Sequence, residues 1–202
     1  MENLENNPII LSAEEKIKLF SLELSKMHSD KNRQFVESAL TELVPNYFFN
    51  IAASSTGKYH PSYALGSGGL VRHTQAATRI AIGLFEIMNI SEEMQDAVIA
   101  ALILHDSFKH GEYYSKYTIA SHPVVAERKI TEYAETFEDI DMLCFANTIG
   151  QLVLTHMGKW NTDWKTHKEF APKPSNSIQS FVHMCDYLAS RKYLEFIFEE
   201  KI

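Results

Sequence analysis

Apolar residues fall at helical spacing along successive stretches of this chain, and polar clusters with capping residues separate them. Ile17, Phe20, Leu24 and Met27 mark a first helix, capped by Ser12, with Glu14 and Glu15 where carboxylates complement the macrodipole. Phe35, Val36, Ala39, Leu40 and Leu43 share one face of a second, from about Lys31 to Val44, and Pro45 restarts the chain. Both read as scaffold, and His28 between them is far in sequence from the other candidate residues. From Asn50 to Ser67 the pattern gives way to a loop of small and polar residues.

Gly68 and Gly69 open the next helix, which runs to about Met88 with Ala76, Ala77, Ile80, Ala81, Leu84, Ile87 and Met88 as its buried stripe. Ser91 caps a helix that carries Val98, Ala101 and Leu102 toward His105, and Phe108 to Ile119 then reads as an irregular excursion. Ser121 caps another, with Pro123 in its first turn and an amphipathic body from Val124 to Phe137. After an acidic turn, Leu143, Ala146, Ile149, Leu152 and Val153 lead to His156, which continues their buried face. The last helix starts near Ser175 and carries Ile178, Phe181, Val182, Cys185, Leu188 and Ala189. The expectation is an all-α bundle of about seven to eight helices. Residues 1–55 read as a helical extension packed on a main unit of residues 56–200, the two forming one compact body.

The bulk properties narrow the function. A chain of 202 residues with 45% hydrophobic and 22% charged positions fits one ordinary globular domain. The formal charge of −7 argues against a broad electrostatic grip on nucleic acid, though a local basic pocket stays compatible with it. Cys144 and Cys185 are spaced for neither a zinc knuckle nor a disulfide framework, and both read as buried, reduced thiols. No apolar run is long enough to span a bilayer, and Met1 to Pro8 is acidic and Asn-rich rather than a signal peptide, so the cytoplasm is the expected compartment.

Within this frame a few residues stand out. His105 and Asp106 follow the apolar run Ala97 to Leu104, and neighbours on a helix splay only about 100° apart, so both can reach one ion. His73, His122, His156 and Asp186 lie inside or at the edge of other helices. A buried, unpaired carboxylate is costly, so Asp186 calls for a metal, a cation or a raised pKa, with Arg191 as the ion-pair alternative. Lys109 follows Asp106 by three residues, on the same side of a helical turn, placed for a phosphate or for Asp106 itself.

The loop carrying Ser54, Ser55, Thr56, Lys58, Tyr59 and His60 leads straight to His73, and its side chains suit either phosphate oxygens or a solvated connector. Gly57-Lys58 lacks the earlier glycine of a phosphate-binding P-loop. The long connection from Met157 to Asn176 interleaves Lys159, Trp160, Trp164 and Lys165. Such a loop suits a nucleobase beside a phosphate, and equally packing over a core edge or a dimer partner.

Taken in order, His73, His105-Asp106, His122, His156 and Asp186 resemble the ligand series of the HD-domain metal-dependent phosphohydrolases, over Tyr59 to Glu195, about two-thirds of the chain. Gly68-Gly69-Leu70-Val71-Arg72-His73-Thr74, Ser121-His122-Pro123, Thr155-His156-Met157-Gly158-Lys159 and Cys185-Asp186-Tyr187-Leu188-Ala189-Ser190 are similar to segments in the HD domain of bacterial 3′→5′ exoribonucleases. The oligonucleotide-binding β-barrel of those enzymes has no counterpart here, which favours small substrates over long RNA.

The resemblance implies that His73, His105, Asp106 and Asp186 bind one divalent metal. His122 and His156 would complete a second site, with Asp106 bridging. Two transition-metal ions, Mn, Fe, Co, Ni or Zn, are thus the expected cofactors. The implied reaction is hydrolysis of a phosphoester of a nucleotide or short oligonucleotide by a metal-activated hydroxide, with Lys109 neutralising developing charge. Lys58, His60, Arg72, Lys159 and Trp160 are the candidate substrate-binding residues. A regulatory HD module that binds a nucleotide or protein partner without catalysis is the alternative, and an all-α protein whose histidines merely satisfy core hydrogen bonds is the blandest. Neither a membrane nor an extended nucleic-acid surface is expected, and assembly into a homo-oligomer is left open.

Overall fold

The computed structural model describes residues 9–54, 56–163 and 165–194. Ser55, Trp164, the first eight positions and Glu195, named above from the sequence, lie outside them. The described residues form eight α-helices and no strand: α1 (Ala13–Leu19), α2 (Ser21–Leu24), α3 (Asp30–Ser38), α4 (Gly69–Leu84), α5 (Glu92–Leu104), α6 (His122–Glu135), α7 (Ile140–Thr155) and α8 (Ser177–Ala189).

Local chemistry sets many of these boundaries. At α1 the Ser12 hydroxyl accepts from the Glu15 amide at 3.2 Å and the Glu15 carboxylate from the Ser12 amide at 2.8 Å, a reciprocal capping box. Asp139 caps α7 and Asn176 caps α8 with side-chain oxygens that accept backbone amides. Ser91 and Ser121 stand at the cap positions of α5 and α6, but neither side chain bonds the helix.

Some expected elements come out differently. The first helix breaks at Phe20, whose backbone (φ −108°, ψ 14°) leaves the helical region so that its ring can turn into the core. The second helix stops at Ser38 and continues as a π turn, Ala39–Leu43, before Pro45. Helix α4 ends at Leu84, and Asn89 at φ 52° redirects the chain, leaving Ile87 72% and Met88 46% exposed rather than on a buried stripe. Cys144 is exposed on α7, whereas Cys185 is buried and its thiol is pushed up to about 12 by burial and by Asp186.

Helix α5 organises the bundle. Every residue from Asp96 to Leu104 is buried, and a helix that is apolar nearly all round must be enclosed by its neighbours. It packs against α3, α4, α7 and α8, while α6 pairs with α7 and α4 with α8. Each fully buried Leu or Ile of this helix contributes about 1.5–3 kcal/mol of transfer free energy. One apolar cluster runs from Phe20 to Ala189, so the N-terminal helices share the core with the rest. The enclosure brings the C-terminal ends of α5 and α7, the first residue of α6 and one face each of α4 and α8 to a common point.

Candidate metal centre

The sequence-predicted ligands converge there. His73 comes from α4, His105 and Asp106 from just past α5, His122 from the start of α6, His156 from the end of α7 and Asp186 from α8. Four of these side chains, those of His73, His105, His122 and His156, are 0–2% exposed.

Gly69 permits the approach of the loop to α4, because a Cβ there would lie 2.4 Å from the Ala64 carbonyl oxygen. Gly158, at φ +55°, does the same after α7, where a Cβ would fall 2.3 Å from His183 Nε2. His183 in turn donates from Nδ1 to the His156 carbonyl at 2.6 Å, tying α8 to the turn that carries His156.

Three imidazoles are held in one repeated way. The Nδ1 of His105, His122 and His156 donates to the carbonyl three residues back, Leu102 at 2.6 Å, Ile119 at 2.8 Å and Val153 at 2.7 Å. That bond assigns the proton to Nδ1 and leaves Nε2 as a lone pair facing the centre. What the lone pairs face is other acceptors. The Nε2 atoms of His122 and His156 stand 3.3 Å apart, and His122 Nε2 is 3.0 Å from Asp106 Oδ1. His105 Nε2 has no hydrogen-bond partner and lies 3.6 Å from both Asp106 Oδ2 and Asp186 Oδ1. His73 Nε2 is 3.0 Å from Asp186 Oδ1, while its Nδ1 is buried without a partner.

Acceptors packed against acceptors in a dry site are unfavourable unless a cation sits among them. The donors divide into His73, His105 and Asp106; His105, His156 and Asp186; and Asp106, His122 and His156, each set with ligand atoms within 4.8 Å of one another. Imidazole nitrogens and carboxylate oxygens in such sets suit a divalent transition metal, so the residues present fit one.

The electrostatics follow from the same packing: burial would lower His105, but Asp106 and Asp186 outweigh it and push its imidazole up. Burial would raise Asp106, but Lys109, His105 and His122 outweigh it and hold the carboxyl well below the usual range. Asp186 behaves alike, with His105 and His73 overcoming its burial. Burial, with His105 and His122 beside it, pushes His156 down to about 3, so its imidazole is neutral at physiological pH. His60, half-buried against His73, is likewise pushed down to about 4 by burial, His73 and Lys109.

Above the centre opens a cleft of about 530 Å³, within the usual range for small-molecule sites. His73, Asp106, His156 and Asp186 line it together with His60 and Lys109, whose ammonium hydrogen-bonds Asp106 Oδ2. Trp160, from a 3-10 turn (Gly158–Trp160), also lines it, half-exposed and stacked on Tyr187 with ring centroids 5.3 Å apart. The rest of the long connection is closed on itself by an isolated bridge between Thr162 and Glu169 and by Asn161, which donates to the Ala171 carbonyl.

The other basic residues singled out from the sequence lie elsewhere. Arg72 is engaged by its own loop, donating to the carbonyls of Tyr63, Leu65 and Ser67, and it lines a separate, mostly apolar cleft beside Phe49 and Val71. A helix start that packs so closely on residues 63–67 needs a cation to bind their outward carbonyls, and Arg72 serves it. Lys58 lies over the Tyr59 ring and Lys159 over Trp160, and neither lines the cleft. Tyr59, which the loop offered to phosphate oxygens, lines it, and so do Tyr187, Ser190 and Arg191, which the sequence did not assign to substrate. The signal for two of them was present: Tyr187 and Arg191 are four residues apart, directly after Asp186. No family model matches the chain, and no curated protein or solved structure matches it either.

Proposed function

We propose that this protein is a metal-dependent phosphohydrolase of the HD type, cleaving a phosphoester of a nucleotide or short oligonucleotide. The observation that carries the reading is the facing of lone pairs: His105, His122 and His156 all commit Nδ1–H to a carbonyl and turn Nε2 toward carboxylates or each other. An ordinary core histidine uses both nitrogens on protein partners. The order and identity of the residues, which resemble the HD series, extend the reading from metal binding to phosphoester hydrolysis.

His73, His105, Asp106 and Asp186 would hold one ion, and Asp106, His122 and His156 a second. The ions supply Lewis acidity at a phosphoryl oxygen and make hydroxide accessible near neutral pH. The carbonyl bonds at Nδ1 orient the imidazoles and raise their basicity as ligands. Lys109 holds its ammonium between Asp106 and the cleft, where it meets phosphoryl oxygens as their charge grows. Cys185 is buried and not among the cleft residues, and the Ser190 hydroxyl at the cleft is held by the Tyr187 carbonyl and by Arg191.

The test is release of phosphate or nucleotide from a panel of nucleoside phosphates, cyclic nucleotides and short oligonucleotides, with Mn²⁺, with chelator, and with Asp106→Ala. Release that needs both metal and Asp106 is the expected result. Metal uptake with no cleavage of any panel member would sink catalysis and leave a regulatory, ligand-binding module.

A further inference from the structure

The cleft holds two cations of different standing. Lys109 is bonded to Asp106, whereas among the described residues no carboxylate pairs with Arg191. The Arg191 guanidinium lies instead within a ring of aromatic side chains, 4.4 Å from the Tyr187 centroid, 5.3 Å from Tyr59 and 5.8 Å from Trp160. Its Nε and one terminal nitrogen donate to the Ser190 hydroxyl at 3.0 and 2.8 Å, so among the described residues the second N–H of that terminal nitrogen and both of the other are uncommitted. Tyr187 stacks on Trp160 at an interplanar angle of 13°, and the Tyr59 backbone is tied to the turn after Arg191, its carbonyl accepting the Lys192 amide at 2.7 Å.

A guanidinium is normally mobile, and ordering it on a ligand costs side-chain entropy. Here the rings and Ser190 have already ordered it, and it keeps the planar fork that matches phosphate oxygens. Its charge, unlike that of Lys109, forms no direct ion pair with a cleft carboxylate among the described residues. Beside it, the stack of Trp160 on Tyr187 offers a flat aromatic surface of the kind on which a nucleobase lies.

Resting on the reading of the site as a nucleotide phosphohydrolase, we propose that Arg191 is a specificity-determining residue that binds a second phosphate, one beyond the phosphate at the metal centre. The substrate class is therefore a nucleotide with at least two phosphate groups. A nucleoside diphosphate and a 5′-phosphorylated dinucleotide share that chemistry, one with the phosphates joined directly, the other through a sugar.

Binding is measured by calorimetry on the chelated full chain, so that it stands apart from turnover, using a nucleoside monophosphate, the matching diphosphate and a 5′-phosphorylated dinucleotide. A charge-assisted bidentate contact to a second phosphate predicts that one or both two-phosphate ligands bind about tenfold more tightly than the monophosphate. Whichever of the two gains more identifies the spacing. Arg191→Gln removes the gain and leaves monophosphate affinity within about twofold, while Arg191→Lys restores part of it because charge returns without the fork. Circular dichroism and metal uptake check that each variant is folded. Equal affinity for one and two phosphates, a gain that survives Arg191→Gln, or no nucleotide binding at all overturns the proposal. Should discrimination depend on Arg191 while no ligand is hydrolysed, the phosphohydrolase reading fails and this one stands. Hydrolysis without discrimination gives the reverse.

Discussion

Two carboxylates sit at opposite ends of α5, Asp96 near its start and Asp106 just past its end, and they are 1% and 2% exposed. Asp96 accepts the His28 amide at 2.7 Å, the Ser29 amide at 3.0 Å and the Asn32 side-chain amide at 3.1 Å. Its partners are donors with nothing left over, and they tie the turn between α2 and α3 to the central helix. Asp106 meets Lys109 and three imidazoles, with His105, His122 and His156 each turning Nε2 toward it. Burial is the same at both ends, so burial alone does not mark chemistry. What differs is the unused capacity of the partners: the first set closes a structural knot, while the second turns imidazole nitrogens and carboxylate oxygens toward one another, an arrangement that a bound metal ion would satisfy.

The largest effect should separate the two ends by activity. Asp106→Asn, nearly isosteric, is expected to lower hydrolysis by at least about 10²–10³-fold. Asp96→Asn is expected to stay within about twofold once turnover is scaled to folded protein, and a large loss there would erase the distinction. Stability should then run the other way. Asp96→Ala leaves two backbone amides and the Asn32 amide without their acceptor, at ~1–3 kcal/mol for each donor that water cannot reach, so a loss of about 3 kcal/mol or more is expected in urea titration. Metal content of the folded fraction should be unchanged.

Metal linkage is the next measure. Mn²⁺ at a hundred times its dissociation constant should stabilise the wild-type chain by about 2.7 kcal/mol, and chelator should remove that gain. The Asp96 variants should keep this response and Asp106→Asn should lose it, as read from thermal melts with and without metal. A response in both would move the ion away from Asp106.

The smallest effect is a dependence on pH in the chelated protein. His156 has a folded value pushed down to about 3 from 6.5, so it takes up its proton only on unfolding. Its contribution to stability is present above 6.5 and is lost as pH falls toward about 3. Asp106 and Asp186, also depressed, lose theirs lower, as pH drops below the ordinary carboxylate range. His156→Gln should therefore flatten the decline between pH 7 and 5 in urea midpoints, and a decline that persists unchanged in that variant would remove His156 as its source.

These contrasts bear on what was legible beforehand. The capping box at Ser12 and the buried run leading to His105 depend on neighbours a few residues away, and local spacing was enough to read them. The ligand types were legible for a related reason: a histidine or aspartate embedded in an apolar helical face has few inexpensive explanations. Trp160 and His60 lie at the cleft as the loops suggested, but Lys58 and Lys159, adjacent to cleft residues, lie over the Tyr59 and Trp160 rings and do not line it. A one-residue step on a loop or helix changes direction by a large angle, and sequence proximity to a site says little about facing it.

Sequence by itself determined the all-α class, most helix boundaries and the set of residues able to ligate a metal, because capping, periodicity and donor chemistry act over one or two turns. Tertiary structure decided which cations serve the cleft. Arg72 was drawn off by the carbonyls of a loop pressed against α4, and Arg191 was caged by Tyr59 from far upstream and by Trp160 from the turn after α7. A long side chain goes where distant backbone and rings leave room and partners for it, and those are supplied only when the helices close around α5.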